Sequence, residues 1–108
     1  MIDALLSGRL RGDVALRPSK NGHTFAIWRM SASDKTGNSL LCSCITFSAS
    51  AINAVQRLSD GDSIAVSGEA AIKTWNDSEG ATQYGLDVTV HGVLTAYHLG
   101  RKRGGGDE

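Results

Sequence analysis

The sequence predicts an all-β fold, a five-stranded barrel with one short helix between the third and fourth strands. Three observations carry that expectation. Apolar and polar residues alternate over several runs, the period of strands with one buried face. Turn signals rich in Gly, Asn and Asp separate the runs, with 13 glycines and a single proline in 108 residues. One segment, after Phe47, instead carries its apolar residues at helical spacing. A chain of this length is one domain with a modest core. That domain is read as residues 1–99, and the Gly-rich tail 100–108, with nothing apolar to bury, as disordered.

The first strand runs from Ile2 to Asp13, and its glycines let it bend sharply. Val14 to Asn21 contains Pro18 and reads as a connecting segment, ended by the turn signal Asn21-Gly22. In the second strand, Thr24 to Ala32, the residues Ala26, Trp28, Met30 and Ala32 share one face and Phe25, Ile27, Arg29 and Ser31 the other. The first set is the better core, so Trp28 is read as structural. Ser33 to Asn38 is a polar loop. The third strand, Leu40 to Phe47, places Leu41, Ser43, Ile45 and Phe47 opposite Leu40, Cys42, Cys44 and Thr46, so Phe47 and the cysteines cannot both face the core. Ser48 is a candidate N-cap for a helix of about three turns through Ala49, Ile52, Val55 and Leu58, stopped by Asp60-Gly61.

Gly61 to Val90 reads as a long hairpin, with Ile64, Val66, Ala70 and Ile72 alternating in one arm and Leu86, Val88 and Val90 in the other. Asn76 to Gly80 is turn chemistry and leaves Trp75 near the tip. Two readings of Trp75 stand: it folds back over the hairpin with Tyr84 near it across the strands, or it is a stacking platform for a flat ligand. The chain continues through Val93, Leu94 and Tyr97. Three strands, a short helix and two strands make the order of an OB-type barrel.

Eleven basic and eleven acidic residues cancel, which counts against a nucleic-acid ligand unless the charges are separated in space. Their distribution allows that. Arg9, Arg11, Arg29 and Lys73 fall on or beside expected strands, whereas Asp60, Asp62, Asp77 and Glu79 fall mostly at turns. The histidines His23, His91 and His98 stand in separate segments with no partner spacing, so no enzyme is read here. Cys42-x-Cys44 lacks the paired spacing of a zinc site and is too far apart for good disulfide geometry, so no metal or other cofactor is expected and the cysteines are core residues. Neither a signal peptide nor a membrane-spanning stretch is evident, and the reading is of a cytoplasmic protein that meets no membrane.

From about Leu5 to Val93 the chain resembles the DNA-binding domain of bacterial single-stranded DNA-binding proteins. Gly8-Arg9-Leu10, Gly22, Phe25-Ala26, Phe47 before a helix, Leu58 to Gly61, and Ile64-Ala65-Val66-Ser67-Gly68 follow in register. The most specific match is Lys73-Thr74-Trp75-Asn76-Asp77-Ser78-Glu79-Gly80, similar to the family's basic-x-Trp-x-Asp-x-x-Gly hairpin, with Tyr84 in its usual place. The resemblance implies an OB-fold that binds single-stranded DNA with little sequence preference, in replication, repair or recombination, as a homodimer or homotetramer. It implies Trp75 and Phe47 as stacking residues, with Arg9, Arg11, Lys73, Arg29 and Tyr84 completing the candidate DNA-binding set. Leu41 stands where the family typically has a further Trp, and Ser43 and Ala49 where it is often basic. The acidic tip with a terminal aromatic is replaced by Gly-rich residues and Asp107-Glu108, which puts recruitment of repair or replication proteins through the C-terminal tail in doubt. The alternative reading is an OB-fold protein-interaction or primosomal module with weak or no DNA binding.

Overall fold

The computed structural model of the protein describes residues 1–95. Its elements are β1 (Ile2–Pro18), β2 (Thr24–Ser33), β3 (Ser39–Thr46), α1 (Ala49–Val55), β4 (Ser63–Asn76) and β5 (Thr82–Thr95). The strands close into a barrel in the order β1-β2-β3-β5-β4. All neighbouring pairs are antiparallel except β3 and β5, which run parallel. This is the five-stranded OB-type barrel that the element order predicts. Tyr97, His98 and the tail 100–108 lie outside the described residues.

β1 serves two neighbours, pairing through Ile2–Arg9 with β4 and through Arg9–Pro18 with β2. Where it passes from one to the other, a Cβ on Gly8 would lie 2.0 Å from the carbonyl oxygen of Ser31, so only glycine fits. The expected connecting segment Val14–Asn21 is corrected here. Gly12, at φ +79°, hosts an irregularity that shifts the register between Arg11 and Ala15, after which Ala15–Pro18 pair with Thr24–Ile27. Pro18 ends the strand, where its missing N–H is least felt. The turn behind it closes with Ser19 N–H donating to the His23 carbonyl at 2.7 Å.

The core is built from Leu10 of β1, Ala26, Trp28 and Met30 of β2, Cys42 and Cys44 of β3, Ile64 and Val66 of β4, and Val88 and Val90 of β5. β2 and β3 therefore bury the faces that their alternation assigns, and Phe47 is exposed opposite the cysteines. Both cysteines are free, and burial pushes the Cys44 thiol up to about 12. Ser48 caps α1, its Oγ accepting from Ala51 N–H at 3.5 Å. The helix is shorter than expected, about two turns, because Leu58 N–H donates to the Val55 carbonyl in a tighter turn that still buries Leu58. Ile72 is also corrected. Its parity is that of the core, yet it is 67% exposed. β1 stops pairing with β4 at Ala70 and β3 stops pairing with β5 at Gly85, so beyond them the β4–β5 hairpin is a two-stranded arm clear of the barrel.

Thr46 is buried beside α1, its Oγ1 donating to the Val90 carbonyl at 2.8 Å and accepting from Ser48 N–H at 3.3 Å. Thr46→Val keeps the shape and removes both bonds, so it is expected to cost about 1–3 kcal/mol of stability. Urea denaturation reads this directly, and an unchanged midpoint would show that the hydroxyl contributes nothing. No helix among the described residues is long and apolar enough to cross a membrane.

Candidate nucleic-acid interface

Alternation in each strand sends every second side chain outward, and the registers align those side chains into rows across the barrel. One row runs Arg9, Ser31, Leu41, Gly85, Lys73, and the next runs Arg11, Arg29, Ser43, Asp87, Ala71. A third runs Ala15, Ile27, Ile45, Thr89, Glu69. Over the second and third rows lies a groove of about 590 Å³, lined by Ile27, Ile45 and Val88 among apolar residues and by Arg11, Arg29, Asp13 and Asp87 among charged ones. An apolar groove with charges along it suits a ligand that presents flat bases to one side and phosphates to the other.

Arg11 and Arg29 are direct cross-strand partners, both exposed, and the ion pairs among the described residues include neither. Like charges directly opposite each other destabilise a sheet, and an anion between them relieves that. Arg9 is tied down, its Nη1 donating to the Gly61 carbonyl at 3.0 Å, which fixes the guanidinium while leaving most of its donors unused. It lines a second groove of about 760 Å³ with Arg11 and the hydroxyls of Ser31 and Ser63.

Phe47 is 62% exposed and packs on Phe25, ring centroids 5.6 Å apart and tilted by 39°. Phe25 is a residue that the sequence reading left out of the site, although its parity with Arg29 and Ile27 carried the signal. At the other end of the surface, Trp75 is 38% exposed. Its six-membered ring covers Gly85, 3.0 Å from the place a Cβ would take. The Lys73 ammonium stands 5.5 Å from a ring centroid of Trp75.

Trp75 is held there by the turn. Asp77 N–H donates to the Ala81 carbonyl at 2.9 Å, Gly80 adopts φ +83°, and the Asp77 carboxylate accepts from the Glu79 and Ala81 N–H groups. Those bonds, led by the one from Ala81, hold the Asp77 carboxyl below its ordinary value. This turn sets Trp75 opposite Gln83, and Thr74 opposite Tyr84. Tyr84, 64% exposed, is therefore on the other face of the arm, and the pairing of Trp75 with Tyr84 that one of the two readings held does not occur. Arg9, Arg11, Arg29, Lys73 and Trp75 share the outward surface, Phe47 joins it through Phe25, and Tyr84 does not.

Lys73 is engaged before any ligand arrives. Its ammonium donates to Ser43 Oγ and pairs with the Asp87 carboxylate at 3.3 Å. Asp87 is one of the strand acids that the sequence reading overlooked, with Asp13 in the same groove and Glu69 in the third row.

The barrel resembles a small single-stranded DNA-binding protein from Streptomyces coelicolor, with TM-score 0.70, 19% identity, and coverage of 93% of this chain and 96% of that one. It also resembles a mitochondrial single-stranded DNA binding protein from S. cerevisiae, with TM-score 0.66, 14% identity, and coverage of 88% of this chain and 94% of that one. No curated protein matches the sequence significantly. A family model described as the Single-strand binding protein family matches residues 1–96, and on that match the chain belongs to the single-strand binding protein family.

Proposed function

We propose that this protein binds single-stranded DNA with little sequence preference, in DNA replication, repair or recombination, and is a binding protein rather than an enzyme. The observation that carries the reading is the cross-strand pair Arg11 and Arg29, in no ion pair among the described residues, set in a largely apolar groove on the surface that also bears Trp75 and Phe47. Bases stack on the indole and on the Phe47–Phe25 pair, which accept any base because every base has a π-face. Arg9, Arg11 and Arg29 take phosphates, and Lys73 does so once freed from Asp87. Tyr84 is left out of the path because it lies on the far face of the arm.

The protein works as a homodimer or a dimer of dimers. Support comes from the exposed apolar side chain of Leu5 on β1, which lines neither of the two grooves. Neutral overall charge favours a second reading, a protein-interaction domain that leaves DNA alone. Titration with oligo-dT of increasing length separates the two, with tryptophan fluorescence and light scattering read in one buffer. Quenching with a rise in mass is expected, and with three or four phosphates neutralised log affinity should fall against log salt with a slope of about −2 to −3. Unchanged fluorescence and unchanged mass at low salt would overturn the DNA reading.

A further inference from the structure

We infer that Asp87 acts as a built-in competitor for DNA, a carboxylate that occupies Lys73 in the free protein and must be displaced by a phosphate. The inference rests on the DNA-binding reading above and adds to it a residue that limits affinity. Asp87 is the partner of Ser43 in β3 and of Ala71 in β4, in the row that begins with Arg11 and Arg29. It therefore faces outward on the proposed path and lines the same groove.

Its carboxylate stands 3.3 Å from the Lys73 ammonium, and Ser43 Oγ accepts from that ammonium as well. The stem of Lys73 is thereby laid along the sheet, with its charge 5.5 Å from a ring centroid of Trp75. A phosphate that approaches Lys73 meets an ammonium already neutralised, with a like-charged carboxylate beside it. The carboxylate is 60% exposed. Exposure keeps the ion pair weak and screened, so it opens at little cost while its repulsion of phosphate remains. Nothing in the barrel needs this charge for packing, because Asp87 is exposed and its one ion-pair partner among the described residues is Lys73.

Asp87→Asn removes the charge and keeps the size. It is expected to tighten oligo-dT binding roughly three- to tenfold at low salt and to leave the melting temperature within about 2 °C of wild type. The salt slope should stay as in wild type, because Lys73 neutralises one phosphate in both complexes once the carboxylate is displaced. Asp87→Glu keeps the charge and is expected to bind like wild type. Asp3→Asn makes the same change in net charge at the start of β1, outside the groove, and is expected to change affinity less than twofold.

In a Lys73→Met background the gain from Asp87→Asn should shrink to less than half, because the pair itself is what competes. Binding by wild type with no gain in Asp87→Asn overturns the competition alone. An undiminished gain without Lys73 also overturns it, since Asp87 would then act by general repulsion. Failure of wild type and Asp87→Asn alike to bind oligo-dT overturns the DNA reading, and this inference with it.

Discussion

Replacing Gly68 by alanine is expected to be, with the same change at Gly8, among the most damaging single changes in the barrel, costing more than about 3 kcal/mol. A Cβ there would lie 2.0 Å from the carbonyl oxygen of Thr89, 2.9 Å from its carbon and 3.0 Å from Cα of Val90. All three are backbone atoms of β5, so no side chain can turn aside and the strand itself has to move. The β4–β5 register already shifts beside Gly68, which marks it as the place where the two backbones cross closest. Against a total stability of roughly 5–15 kcal/mol, that loss should lower the melting temperature by more than about 12 °C. Gly12 gives the control: its φ is +79° but a Cβ there meets nothing within 4 Å, so Gly12→Ala should cost only about 1–2 kcal/mol. Thermal melts followed by circular dichroism rank the two, and a Gly68→Ala protein that melts with wild type would refute the close approach.

Trp75→Ala should have the largest effect on binding, a loss of roughly 1–3 kcal/mol toward oligo-dT. The indole covers Gly85 and stands beside Lys73, so some packing goes with it, but it is on the free arm and outside the core cluster. A stability change under about 1 kcal/mol is therefore expected. Tyr84→Ala, on the opposite face of the same arm, should leave oligo-dT affinity within about twofold, since a side chain that cannot reach the path adds no stacking. Fluorescence anisotropy of a labelled oligonucleotide measures all three proteins. Should Trp75→Ala destabilise the fold and bind DNA normally, the indole belongs to hairpin packing and the protein-interaction reading becomes the better account.

What could be read from the sequence divides along physical lines. β2 and β3 were legible because each is flat enough over Ala26–Met30 and Cys42–Thr46 for parity to hold, so Trp28 and Phe47 fell on the correct faces. The helix start was legible because Ser48 caps through its own side chain. β1 beyond Asp13 was not, since the irregularity between Arg11 and Ala15 resets the alternation and Pro18 looks like a strand breaker. Ile72 shows a second limit. Period two tells which face a residue takes, not where its neighbouring strands end. The placing of Tyr84 depends on the register set by the tip, in which Asp77 and Ala81 bond each other, and one residue more or less would exchange faces. Arg11 beside Arg29, and Lys73 beside Asp87, are contacts across the β1–β2 and β4–β5 hairpins, fixed by registers that the turns and irregularities set rather than by the alternation within one strand.

The last strand also determines when the domain can exist. β5 lies between β3 and β4, parallel to the one and antiparallel to the other. A chain emerging from the ribosome can form β1 against β2 and β2 against β3 early, yet β3 and β4 each keep an open edge until Thr82–Thr95 has cleared the exit tunnel. During that interval Cys42, Cys44 and Val66, all buried in the finished barrel, lack the Val88 and Val90 side chains that complete their core. Such non-local closure folds slowly. The nascent chain thus carries pairable edges from the emergence of β3 until that of β5, and a chain halted before β5 is a template for aggregation rather than a partial binding domain.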